Sequence, residues 1–230
     1  MKRLIAVILC RCVLFAGCGG TGLGGEKLNV KSDEAQFRTP QSGDVTAVIE
    51  TSRGTIKVLL FPDVAPLAVQ NFILLAQNGY YDGLTFHRAI EDFLIQTGSP
   101  DGSANGGRSA WGLDFPDEFS DLAHNYSGAL AMANRGEDTN SSQFYILTTP
   151  IGKISSEKVS QMQQAGWREE VINAYKEAGG EPSLDYRYTV FGQVYDGLEV
   201  AYKISRAKTD KNDKPEKDVT VNSVTIVVVE

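Results

Sequence analysis

Thiols are missing from almost all of this chain of 230 residues: its three cysteines, Cys10, Cys12 and Cys18, all fall within the first 18 positions. Beyond that point no disulfide can form and no cysteine can serve as a nucleophile. Histidine is nearly as scarce. His87 and His124 are the only two, too few for a histidine-rich site, and no metal is expected. Neither lies near a G-x-S-x-G segment, which removes the usual signature of a serine hydrolase. The net charge is −7 and no segment concentrates lysine and arginine, which argues against a nucleic-acid partner, because phosphate backbones are held by clustered cations. Long apolar runs are absent too: Leu4–Leu9 and Val13–Gly17 are too short for a standard membrane-spanning helix.

What remains suits one folded domain. With 42% hydrophobic residues, a chain of 230 can bury a single sizeable core and little more. Its start, Met1-Lys2-Arg3 followed by a short apolar stretch and small residues, has the organisation of an export signal over residues 1–17. The segment Phe15-Ala16-Gly17-Cys18 resembles a bacterial lipobox, which implies a lipid on Cys18 and a membrane-anchored protein facing the extracytoplasmic side. Residues 18–44 open with Gly19-Gly20-Thr21-Gly22-Leu23-Gly24-Gly25 and stay polar to Asp44, as expected of a flexible tether with no core of its own.

From residue 45 the pattern becomes that of a mainly β domain. Val45–Thr51 and Thr55–Phe61 flank Ser52-Arg53-Gly54 as a hairpin. Pro66 opens an amphipathic helix with Val69, Phe72, Ile73 and Ala76 on one face, and Gly79 lies just past its end. Gly98–Gly112 holds five glycines and reads as a loop bordering a groove or simply wrapping the surface. Residues 152–183 read as an inserted helical hairpin: Ser156 is expected to cap its first helix, while Trp167, Val171, Ile172 and Tyr175 form one face of its second. Thr189–Tyr195 is a strand, Leu198–Ala207 a helix, Thr209–Asp218 a charged loop and Val219–Val228 the last strand. Alternating strands with so few helices predict a closed antiparallel barrel in which the first and last strands are neighbours.

Two stretches carry the chemistry. Phe86-His87-Arg88-Ala89-Ile90-Glu91-Asp92-Phe93-Leu94-Ile95-Gln96-Thr97-Gly98 reads as two strands about an acidic turn, and alternation places the Arg88 cation and the Gln96 amide on an otherwise apolar surface. The second runs Met132-Ala133-Asn134-Arg135-Gly136-Glu137-Asp138-Thr139-Asn140-Ser141-Ser142-Gln143-Phe144-Tyr145-Ile146, and Leu184-Asp185-Tyr186-Arg187-Tyr188-Thr189-Val190-Phe191-Gly192 follows later. Together they resemble the cyclophilin family of peptidyl-prolyl cis-trans isomerases, over roughly Val45 to Val228 apart from the insertion.

That resemblance implies an eight-stranded barrel capped by two helices, no cofactor, a monomer, and proline-containing polypeptides as partners. By motif position it implies catalytic roles for Arg88, Gln96 and Asn134, and substrate contacts from Phe93, Leu94, Ala133, Gln143, Tyr145, Leu184 and Tyr188. Arg88 would donate to the proline nitrogen, since a guanidinium is permanently charged and its N–H groups are fixed in direction. The chain departs from the family pattern at Leu94, where methionine is more common, at Tyr188, where many members have histidine, and at Ser183, where some have a tryptophan and which puts tight cyclosporin binding in question. A different reading keeps the barrel as a catalytically weak peptide-binding or adhesive module, for which Arg88, Gln96, Asn134 and Gln143 would be unnecessary.

Overall fold

The hairpin read from alternation opens the sheet, with strand β1 (Val45–Thr51) antiparallel to β2 (Gly54–Leu60) and Ile49 opposite Ile56. The computed structural model describes residues 35–230, so the export signal and Cys18 lie outside the described residues. Helix α1 (Pro66–Gln77) follows, with proline in its first turn. Its first amides have no cap from the preceding residue; instead Glu118, far along the chain, accepts from Leu67 N at 3.0 Å and Ala68 N at 2.9 Å. A carboxylate at this position satisfies orphan donors and complements the positive end of the helix.

The remaining elements are β3 (Arg88–Ile90), β4 (Leu94–Thr97), β5 (Ala129–Met132), β6 (Phe144–Leu147), α2 (Ser156–Gln164), α3 (Glu169–Ala178), β7 (Val190–Asp196), α4 (Leu198–Ser205) and β8 (Val221–Val228). The eight strands form one antiparallel sheet in the order β3-β4-β6-β5-β7-β2-β1-β8. The first and last strands are neighbours, as expected. Closure is not achieved, however: the sheet is a curled, open half-barrel whose end strands β3 and β8 do not pair. β3 has only three residues and leaves the end of the sheet short. The gap is crossed by irregular chain, with Gly83 N donating to Val221 O, Val221 N to Leu84 O and Phe86 N to Val219 O. These bonds satisfy the edge groups that full closure would have paired.

Side chains on the concave face form the main core. Phe72 of α1 lies against Phe144 at 5.4 Å between ring centroids and Tyr81 at 5.3 Å, above Ile49, Ile56, Ile95 and Ile146. Helix α4 adds Leu198, Ala201 and Ile204 to the same cluster.

The insertion is the helical hairpin α2–α3. Its cap is Ser155, whose side chain accepts from Lys158 N at 3.2 Å, and not Ser156, which is already inside the helix. Val171, Ile172 and Tyr175 face inward as expected, onto Tyr126 and Met162, with Trp167 half-buried beside them. Phe37 joins this cluster, its ring 4.9 Å from that of Tyr126. Thus the part of the expected tether that is described, 35–44, is held against the domain. Gln36 is buried, its amide donating to His124 O and Gln193 Oε1 and accepting from His124 N, and Arg38 pairs with Asp44. A local reading sees a mostly polar stretch here; the anchoring comes from the Tyr126 ring and from backbone and amide groups far away in sequence.

Candidate active site

Because side chains alternate across a strand, the strip β4–β6–β5 has a second face. Ile95, Phe144, Ile146, Leu130 and Met132 point into the core, whereas Leu94, Tyr145, Leu147, Ala129 and Ala131 form a separate apolar cluster on the outside. Register then assembles the site: Arg88 pairs with Gln96, and Gln96 pairs with Tyr145, so a cation, an amide and an aromatic ring stand in one row across three strands.

A cavity of about 860 Å³ opens on this face. Arg88, Phe93, Leu94, Gln96, Ala133, Asn134, Tyr145, Leu184 and Tyr188 all line it, which brings together every expected site residue within the described chain except Gln143. Tyr145 and Tyr188 meet edge to face, with centroids 5.7 Å apart. Burial drives the Tyr145 phenol well above its ordinary pKa, helped by Tyr188 and Asp185, so its hydroxyl stays protonated and donates to Asn125 Oδ1 at 2.6 Å.

Gln143 stands behind the wall. Its Oε1 accepts from Gln96 Nε2 at 2.9 Å, while its Nε2 faces the carbonyls of Ser103, Ala104 and Gly106 at 2.8–3.2 Å. It therefore ties the glycine-rich loop down and holds Gln96 in place. The loop does border the groove, through Gly102, Ala104 and Asn105. Gly98 at its root has φ +91°, and a Cβ there would sit 2.3 Å from Ser142 O, so only glycine lets the loop leave β4 this close to the chain beneath. Asn134 is likewise engaged within the protein, its Nδ2 donating to Arg187 O at 3.0 Å and Asp117 Oδ1 at 3.2 Å. Ser183 is exposed and outside the cavity lining, its hydroxyl donating to Glu181.

Other lining residues gave no signal in the sequence. Asp210, Asn212 and Lys214 come from the charged loop before β8. Asp213 of the same loop accepts the Ala89 amide through its carbonyl and places its carboxylate 3.5 Å from Arg88 Nε. That contact is made through Nε, and Arg88 itself lines the cavity. His87 also lines the cavity and is buried, and neither ring nitrogen has a hydrogen-bond partner among the described residues. Burial holds its imidazole below the ordinary value, with the nearby Gln143 amide opposing and Arg88 reinforcing the shift. Among the described residues no cluster of three or more His, Cys, Asp or Glu is placed to hold a metal ion.

Chemically, the cavity offers an apolar recess, a directed cation and nearby amides, and no paired acid and nucleophile. Comparison with known proteins points the same way. The family model for cyclophilin-type peptidyl-prolyl cis-trans isomerases matches residues 46–226. A protein of Staphylococcus aureus (strain USA300) named "Putative peptidyl-prolyl cis-trans isomerase" is 44% identical over 186 residues, covering 81% of this chain and 93% of its own. One of the same name from Staphylococcus saprophyticus is 43% identical over 193 residues, covering 84% and 97%. The crystal structure of a Cryptosporidium parvum cyclophilin-type isomerase superposes with a TM-score of 0.64 at 29% identity, over 80% of this chain and 98% of that one. The same protein crystallised in the presence of the dipeptide ala-pro gives 0.63, also at 29% identity, over 79% and 98%. With motif order, strand topology and the cavity in agreement, the chain belongs to the cyclophilin-type peptidyl-prolyl cis-trans isomerase family.

Proposed function

We propose that this isomerase acts outside the cytoplasm on proline-containing polypeptides, tethered through a lipid on Cys18, and that Arg88 supplies the catalytic hydrogen bond. The carrying observation is the row Arg88–Gln96–Tyr145 at the cavity, a guanidinium in register with an apolar recess. An X-Pro bond turns slowly because resonance gives its C–N bond partial double-bond character, with a barrier of ~18–20 kcal/mol. As the bond twists, the proline nitrogen becomes pyramidal and gains a lone pair. A donor aimed there is stronger in the transition state than in the ground state, which is the condition for acceleration.

In this arrangement Phe93, Leu94, Tyr145 and Leu184 receive the proline ring, and Ala133 leaves room for the residue before it. Asp213 lies beside the guanidinium, its carboxylate 3.5 Å from Nε. Lowering the barrier by ~4–7 kcal/mol corresponds to about 10³–10⁵ in rate. The charge-assisted bond from Arg88 accounts for about 3–4 kcal/mol of this, and positioning of the peptide in the cleft for the rest.

NMR exchange spectroscopy on a proline peptide tests the activity: catalysed cis/trans exchange is expected, whereas binding with no exchange would mean a peptide-binding module. For the anchor, wild type should fractionate with membranes and Cys18→Ser should be released with its turnover intact. A wild type that is already soluble in the exporting cell removes the lipid from the account.

A further inference from the structure

We propose that Tyr175, in the insertion, and the buried Asp185 are positioning residues for the proline pocket, acting through Asn125 on Tyr145. The inference rests on the isomerase reading above. Tyr145 is the aromatic wall of the cavity, and its hydroxyl points away from the cavity into the protein, donating to Asn125 Oδ1 at 2.6 Å. An asparagine amide has a donor end and an acceptor end of nearly the same shape, so something must decide which end faces Tyr145. Asp185 decides it: its Oδ1 accepts from Asn125 Nδ2 at 2.9 Å and from Asn125 N at 2.7 Å. With the donor end held by the carboxylate, the carbonyl end is left for the hydroxyl. Turned over, the amide would set its oxygen against a carboxylate oxygen and its N–H toward the phenol.

Asp185 is in turn oriented from the insertion. Its Oδ2 accepts from Tyr175 OH at 2.8 Å and lies 2.7 Å from His124 Nδ1. Asn125 and Tyr175 are fully buried, and the Asp185 side chain is only 3% exposed, so water does not substitute for a lost partner. The same carboxylate also sits one residue after Leu184, a second wall of the cavity. One charged group thus fixes both walls, and α3 holds that group in place. The helical hairpin thereby becomes a buttress of the groove, where packing against the barrel alone would require only its apolar face.

Tyr175→Phe removes one oxygen and tests the chain of bonds. We expect kcat/KM for a proline peptide to fall about three- to tenfold, mostly through KM, because the change loosens a binding wall and leaves Arg88 untouched. Val171→Ala is the control: it opens the insertion's core without touching these bonds, and should lower Tm while leaving kcat/KM within about twofold. In a Tyr145→Phe background the end of the chain is gone, so adding Tyr175→Phe should change kcat/KM by less than about 1.5-fold. Equal effects of Tyr175→Phe in both backgrounds, or a kcat/KM as little altered as in Val171→Ala, would overturn the proposal. If Tyr175→Phe does not fold, Tyr145→Phe alone decides, since a loss below about twofold there leaves nothing to position. A wild type that binds peptide without turnover defeats the isomerase reading separately, and the peptide Kd then carries the same comparison.

Discussion

The two faces of β4, β6 and β5 are made by the same few residues of backbone and differ in almost everything else. Inward, Ile95, Phe144, Ile146, Leu130 and Met132 belong to one buried cluster with Phe72 and Tyr81. Outward, Ala129, Ala131 and Ala133 are small, Gln96 and Tyr145 are polar at the tip, and the surface sinks into a cavity of about 860 Å³. Substitutions on the inner face are therefore expected to act mainly on stability, and substitutions at the cavity mainly on activity. Close-packed interiors respond to the loss of even a methylene, whereas an under-filled, solvated cleft tolerates change at the expense of its ligand.

Three experiments press on that contrast. Phe144→Ala, on the inner face, should cost ~3–5 kcal/mol by leaving a cavity against Phe72 and Tyr81. Urea unfolding should show a lower midpoint at unchanged slope; a loss under about 1 kcal/mol would mean the inner face is not where stability resides. On the outer face, Arg88→Ala should lower kcat by roughly 10²–10³, equivalent to ~3–4 kcal/mol of transition-state stabilisation, while the unfolding free energy moves by less than about 0.5 kcal/mol. Arg88→Lys should recover little, because an ammonium lacks the directed fork. Near-normal exchange in a folded Arg88→Ala protein would sink the donor role.

The smallest effect concerns His87, which is buried and yet at the cavity wall. Its folded-state pKa lies below the ordinary 6.5. The unfolded chain therefore binds the proton first, and the stability contributed by neutral His87 is present above pH 6.5 and lost as pH falls through the folded value. Between about pH 7.5 and 5 the Tm of wild type should drop more than that of His87→Gln, and parallel profiles would remove His87 from the account. The exchange rate itself should stay nearly flat over about pH 6–8, since no titrating group donates to the nitrogen.

Much of this was legible because it is local. Phe86–Gly98 and Met132–Ile146 each carry their strand, turn and cavity-lining side chains within one short stretch, and the period of two assigns Arg88 and Gln96 to one surface before any partner strand is known. The insertion's inward face, Val171, Ile172 and Tyr175, was equally readable from helical spacing. The Asp210–Lys214 segment was not. Its residues announce a turn and nothing more, and their place beside Arg88 depends on where β8 begins on the far edge of the sheet.

The sequence by itself determined which residues alternate, which stretches are helical, and which two segments supply most of the candidate site, because these follow from neighbours within a few positions along the chain. Tertiary structure alone decided that the sheet stops short of closing, that Gln143 holds a loop, that Gln36 and Phe37 fold back onto the domain, and that Asp185 gathers Tyr175, Asn125 and His124 around one buried charge. Apart from Tyr175 and Asp185, which are ten positions apart, those outcomes pair groups tens of residues apart, and a buried donor or acceptor has no way of naming its partner until the whole chain has packed.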